Sequence, residues 1–148
     1  MFTTNIDADE ALELFGKGID CSQVVFAEFA PQMGMDRVTA LKTAASFGGG
    51  MWEGETCGAV AGALMALGLK YGHIDDGNEE QKANMMAKAM EFKKKFAAEN
   101  GSCICRELLG LKVPEDMEQI LAEKKFETVC NNAVASACRI CCEILNKD

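Results

Sequence analysis

Gly58, Gly62 and Ala66 recur every fourth residue within the run Gly54-Glu55-Thr56-Cys57-Gly58-Ala59-Val60-Ala61-Gly62-Ala63-Leu64-Met65-Ala66-Leu67-Gly68-Leu69. Positions four apart share one face of a helix, so this segment presents a face with almost no side chain. A glycine inside a helix is less favourable than alanine by roughly 1 kcal/mol, and two of them in one helix call for an offset. Close approach by another backbone or by a cofactor supplies one, and tight helix–helix packing is the commoner case. A chain built around such a segment must lay another helix directly against it. Packing of that kind also brings Cys57, at its start, near cysteines on neighbouring helices.

The remaining residues read as helices as well. Prolines number only two, and β-branched residues are few beside Ala, Leu, Met, Glu and Lys, a mixture that favours helix. A first helix is expected from Asp7 or Asp9 through Phe15, ended by Gly16 and Gly18. A second begins at Asp20 and runs toward Pro31 and Gly34. Asp36 caps a third, with Val38, Leu41 and Ala45 at helical spacing until Gly48-Gly49-Gly50. A tight loop with the only tryptophan, Trp52, follows. The fourth helix spans Glu55-Thr56-Cys57 to Tyr71-Gly72, and a long fifth covers about Asn78 to Asn100, with Met85, Ala89, Phe92 and Phe96 on one face. A turn at Arg106-Glu107-Leu108-Leu109-Gly110, a short helix from Glu115 behind Pro114, and a last helix from about Phe126 to Leu145 complete the chain. The predicted fold class is all-α: an irregular multi-helix bundle forming a single domain over residues 1–148, a length that buries a core without covalent staples.

The formal net charge is −8, which makes nucleic acid and anionic membrane poor partners and directs long-range attraction toward basic proteins and cations. The longest apolar run, Cys57 to Leu69, is 13 residues and too short to span a bilayer. No basic segment followed by an apolar one opens the chain, so a cytoplasmic location is expected. There, the eight cysteines should rest as thiols unless they bind metal or cycle through a transient disulfide.

Cys21, Cys57 and Cys105 each fall in the expected first turn of a helix, where unpaired N–H groups and the helix dipole favour thiolate. On the last helix, Phe126, Cys130, Ala133, Ala137, Cys141 and Ile144 form one apolar stripe, flanked by Cys138 and Cys142. Cys141 and Cys142 read as packing residues. Paired C-x2-C knuckles for a zinc ribbon, ferredoxin-type cysteine runs and a C-x-x-C-H haem motif are all missing. The one histidine, His73, reads as a surface residue in a loop.

Four pieces of the chain resemble the redox-active proteins named for the pattern C…GCAxxG…C…C: Asp20-Cys21-Ser22-Gln23, Cys57-Gly58-Ala59-Val60-Ala61-Gly62 running on to Leu69-Lys70-Tyr71-Gly72, Cys105-Arg106-Glu107-Leu108-Leu109-Gly110, and Cys130. The order here is Cys-Gly-Ala where the family's name has Gly-Cys-Ala. The resemblance implies a helical domain common in anaerobes, with a redox role. A similar domain in split-Soret cytochromes is associated with an iron–sulfur centre. It also implies that Cys21, Cys57, Cys105 and Cys130 are the redox thiols or the ligands of a cluster or metal, with Cys103, Cys138, Cys141 and Cys142 extra to the pattern.

Three classes of function stay open on the sequence. The first is an oxidoreductase or electron carrier, using either an iron–sulfur cluster or dithiol/disulfide exchange at those four cysteines. The second is a module that holds zinc or a soft metal by thiolates, and the third is a helical interaction protein whose cysteines pack. A redox partner protein is expected for the first, and the small-residue helix together with the family likeness suggests a homodimer.

Overall fold

Helix-starting side chains stand where the sequence puts them. In a computed structural model that describes residues 1–147, α1 (Ala8–Gly16) is capped by Asp7, whose carboxylate accepts from Glu10 N–H at 2.8 Å. α2 (Cys21–Phe29) follows Asp20, whose own N–H donates to the Gln23 side chain at 2.9 Å. Asp36 caps α3 (Arg37–Ala44), accepting from Thr39 N–H at 2.9 Å. α4 (Gly58–Tyr71) starts after Cys57, and α5 (Glu79–Asn100) after Asn78, which accepts from Gln81 N–H at 3.0 Å. Two short helices, α6 (Cys105–Leu109) and α7 (Met117–Ala122), precede α8 (Asn131–Leu145). Such caps satisfy backbone donors that the first helical turn leaves without partners. Among the described residues the only strand-like pairing is one antiparallel bridge, Thr56 to Ile104. The all-α class holds.

α4 and α2 meet backbone to backbone. A β-carbon at position 62 would stand 2.5 Å from Ser22 O and 3.1 Å from Val25 Cβ. The small face expected to admit a neighbouring helix does so, and that neighbour is α2. Ser22, fully buried in this contact, donates to Ala44 O at 2.8 Å and so ties α2 to the end of α3. A β-carbon at position 68, on the same helix, would meet nothing within 4 Å. Gly68→Ala is therefore expected to raise stability by about 0.5–1 kcal/mol through helix propensity alone, read as an upward shift of the denaturant midpoint.

Two groups of buried residues result. The larger gathers α1 to α5 and α8 around Phe29, Phe92, Phe96, Leu67, Ile140 and Ile144. The smaller is built by Cys105, Leu109, Val113 and Ile120, with Phe126, Val129 and Cys130 packed on it.

Three details differ from the expected pattern. Val38 is 61% exposed: α3 buries Ala40 and Ala44 and packs Leu41 part-way against the core. The last helix does not run unbroken from Phe126: a wide turn, Phe126–Cys130, leads into α8, and this change of geometry turns Phe126 and Cys130 onto the smaller group. Cys138 does not merely flank the stripe. It is fully buried, because α8 is packed by α1, α2, α4 and α5 and its covered face is correspondingly wide.

Candidate functional site: four cysteines around one cavity

Cys21 is the first residue of α2, Cys57 immediately precedes α4, Cys105 is the first residue of α6, and Cys130 closes the wide turn before α8. Far apart in sequence, all four line one cavity of about 190 Å³ at the seam between the two buried groups. The backbone explains the convergence. Thr56 pairs with Ile104, Cys57 N–H donates to Cys103 O at 2.8 Å, and Cys105 N–H donates to Glu55 O at 2.6 Å. That short antiparallel contact pins the starts of α4 and α6 side by side. Cys21 arrives through the α2–α4 packing: a β-carbon at position 58 would stand 2.3 Å from its sulfur, so the missing side chain of Gly58 is the space that Cys21 Sγ uses.

The rest of the wall is mostly apolar, with Phe15, Ile19, Leu108, Val113, Phe126 and Val129 facing the space. Asp20 is the acidic exception, and burial holds its carboxyl above the usual range.

Burial also decides the state of the thiols. The helix starts do provide N–H donors, those of Val60 and Ala59 acting on Cys57 and that of Ser22 on Cys21, joined by Gly49 from the turn before residues 50–54, and each pulls toward thiolate. Loss of solvent pulls harder. It raises Cys21, Cys57 and Cys130 above the ordinary thiol value and pushes Cys105 up to about 11. Repulsion between neighbouring thiolates adds to the rise at Cys57, Cys105 and Cys130. The thiolate state expected from helix position alone is thus outweighed, and without a bound cation these are neutral thiols at pH 7.

A pH dependence follows. The folded-state value of Cys105 lies above the ordinary 9.0, so folding favours the protonated form. That contribution is complete below pH 9 and is lost as pH climbs toward 11, while the unfolded chain releases its protons. The metal-free chain should lose on the order of 2 kcal/mol from Cys105 alone across that window, measured by urea unfolding at pH 8, 9, 10 and 11.

Among the described residues no two cysteines stand at disulfide distance, and all eight are free. Nor do any three Cys, His, Asp or Glu side chains stand close enough to grip a single ion. A tetrahedral zinc site would need sulfurs roughly 3.8 Å apart, given a Zn–S bond of about 2.3 Å. The four sulfurs instead border a space larger than one ion. Four thiols in an apolar-walled space are the donor set of an iron–sulfur group, as of other thiolate-bound metals. Four thiol donors, apolar walls and glycines that leave the inner surface free of side chains all fit such a group.

The sequence matches the model of a family described as "Putative redox-active protein (C_GCAxxG_C_C)" over residues 19–144. The chain belongs to that family. No curated protein and no solved structure matches it.

The four cysteines singled out from the sequence, Cys21, Cys57, Cys105 and Cys130, are thus the four that share the cavity, and the other four lie elsewhere. Cys138 and Cys141 are fully buried in the core, where Cys141 Sγ donates to Ala63 O at 3.8 Å. Cys142 is partly covered by the N-terminal segment, its thiol donating to Phe2 O at 3.4 Å. Cys103 points outward, donating to Lys93 O at 3.5 Å, and only its carbonyl serves the site. His73 is exposed, as expected. No helix of the described residues is long and apolar enough to cross a membrane.

Two residues of the cavity wall go beyond the sequence-based expectation. Asp20 is more than a helix start and Trp52 more than part of a tight loop, for both line the cavity. Three consecutive glycines ahead of Trp52 are the available signal, because such a run marks a backbone that passes close to something.

Proposed function

We propose that this chain carries electrons through an iron–sulfur centre held by Cys21, Cys57, Cys105 and Cys130. The observation that carries the proposal is the shared cavity: four thiols from four separate elements line one largely apolar space of about 190 Å³. Such a centre supplies one-electron exchange when bound.

The protein's own part is to bind, shape and shield. Each cysteine gives up its thiol proton on ligation, which a bound cation favours strongly enough to reverse the effect of burial. Phe15, Ile19, Val113 and Phe126 keep water from the sulfurs, which sets the local dielectric and with it the potential. The backbone contact between residues 55–57 and 103–105 fixes two of the four ligands relative to each other. A partner able to exchange electrons with the chain would be a protein with a basic docking face, since the net charge of −8 attracts one at long range.

Anaerobic purification with iron and acid-labile sulfide analysis tests the proposal. Iron and sulfide in equal amounts, with a visible charge-transfer spectrum that bleaches on reduction, is the expected result. A colourless, iron-free protein with eight titratable thiols, or one equivalent of zinc and no redox response, would overturn it.

A further inference from the structure

We infer that Trp52 is the cover of the four-cysteine cavity, the residue that determines which molecules reach the thiols. It deepens the reading of the cavity as the reactive centre and rests on it, but does not depend on what fills the space. Trp52 lines the cavity and is nonetheless 47% exposed, so it borders both the cavity and solvent.

The backbone is bent to hold it there. Met51 and Trp52 have φ of 59° and 63°, consecutive non-glycine residues in the left-handed region, where a β-carbon crowds the following carbonyl oxygen. Flanking contacts impose that conformation. Glu55 N–H donates to Gly50 O at 2.9 Å, Cys105 N–H to Glu55 O at 2.6 Å, and the Arg106 guanidinium to Gly54 O at 3.1 Å. Gly49 and Gly50 are glycines for a reason tied to the cover. A β-carbon at position 49 would lie 3.1 Å from the indole Cε3, and one at position 50 would lie 2.7 Å from Cys105 Cβ. The indole therefore folds back over a bare backbone, and the same turn presses on Cys105. The Gly49 N–H also pulls the Cys21 thiol toward thiolate. One strained turn thus packs against Cys105 and carries the aromatic ring that closes the space above the thiols. Strain of this kind persists only where the surroundings over-determine it.

Thiol labelling tests the inference on the full chain with its iron removed and its thiols reduced. Iodoacetamide, small and neutral, alkylates a cysteine: the thiol proton passes to solvent, sulfur attacks the methylene carbon and iodide leaves. Each site is quantified by peptide mass spectrometry. Trp52→Ala is expected to raise the labelling rates of Cys57 and Cys105 about tenfold, while Trp52→Phe stays within about twofold of the native chain and Cys103, outside the cavity, is unchanged. Trp52→Gly guards against misfolding as the explanation: it opens the cavity and relieves the left-handed strain together, so labelling should rise with no fall in the unfolding temperature.

Unchanged rates at Cys57 and Cys105 in Trp52→Ala would overturn the inference. So would a rise shared equally by Cys103 and Cys138, which would mean general loosening, or a phenylalanine variant as reactive as the alanine. Because the labelling is read on iron-free protein, its failure leaves the iron analysis untouched, and a failed iron analysis leaves the labelling interpretable.

Discussion

Serine in place of Cys57 is expected to abolish binding of the proposed iron–sulfur centre while leaving the helices intact. Cys57 is nine-tenths or more buried and sits at the cavity between the α2–α4 contact and the bridge to residues 103–105. Oxygen for sulfur is nearly isosteric, so the packing survives. A buried hydroxyl without a partner costs about 1–3 kcal/mol, tolerable for a domain of this size. Ligation does not survive, because serine is a far poorer ligand for iron than thiolate. The retained iron should fall by at least about tenfold, the lower end of what even outer-shell changes do to metal sites, and Cys21→Ser, Cys105→Ser and Cys130→Ser should follow suit. Cys103→Ser is the control. Its thiol points toward Lys93 and away from the cavity, so its iron content should match the native chain. Full iron in any of the four cavity variants would remove that cysteine from the ligand set, and loss in Cys103→Ser would mean that the ligand set extends beyond the cavity.

Much of this architecture was legible because it is written in local chemistry. Asp7, Asp36 and Asn78 cap helices by hydrogen bonds that span three residues, and Gly34, Gly101 and Gly110 end them in left-handed conformations that favour glycine. The four-residue spacing of Gly58 and Gly62 announced a close neighbour, although only the fold could say that it is α2. What the sequence could not carry was the effect of three-dimensional surroundings. Helix position suggested thiolates at Cys21 and Cys57, but the cost of burying a charge is set by residues far away in the chain, and it dominates. Cys138 looked like a flanking residue because periodicity counts one helix face, whereas the number of helices packed on α8 determines how wide that face is. Trp52 escaped for the same reason: a loop residue gains its role from what lies beneath it.

The two glycines of the α4 face should fail in different ways when replaced. At position 62 a methyl group meets Ser22 O at 2.5 Å and Phe26 N at 3.2 Å, both backbone atoms of α2, and neither can swing aside. The helices must separate, which overpacking data put at about 1–3 kcal/mol, partly offset by the roughly 1 kcal/mol that alanine gains in helix propensity. Gly62→Ala should therefore lower the unfolding temperature by several degrees and leave the iron in place. At position 58 the nearest atom is Cys21 Sγ at 2.3 Å, with the backbone atoms Phe47 O at 3.0 Å and Ser22 N at 3.2 Å behind it. A side-chain sulfur can rotate, so the stability loss should be the smaller of the two. The rotation, however, takes Cys21 from its place at the cavity. Gly58→Ala should thus lose iron out of proportion to its stability, the reverse of Gly62→Ala, with thermal unfolding and iron analysis read on the same preparations. Were the two variants to lose iron and stability in parallel, Gly58 would be a packing glycine like its neighbour. Cys21 would then owe nothing to it, and the order Cys57-Gly58 would carry no consequence for the site.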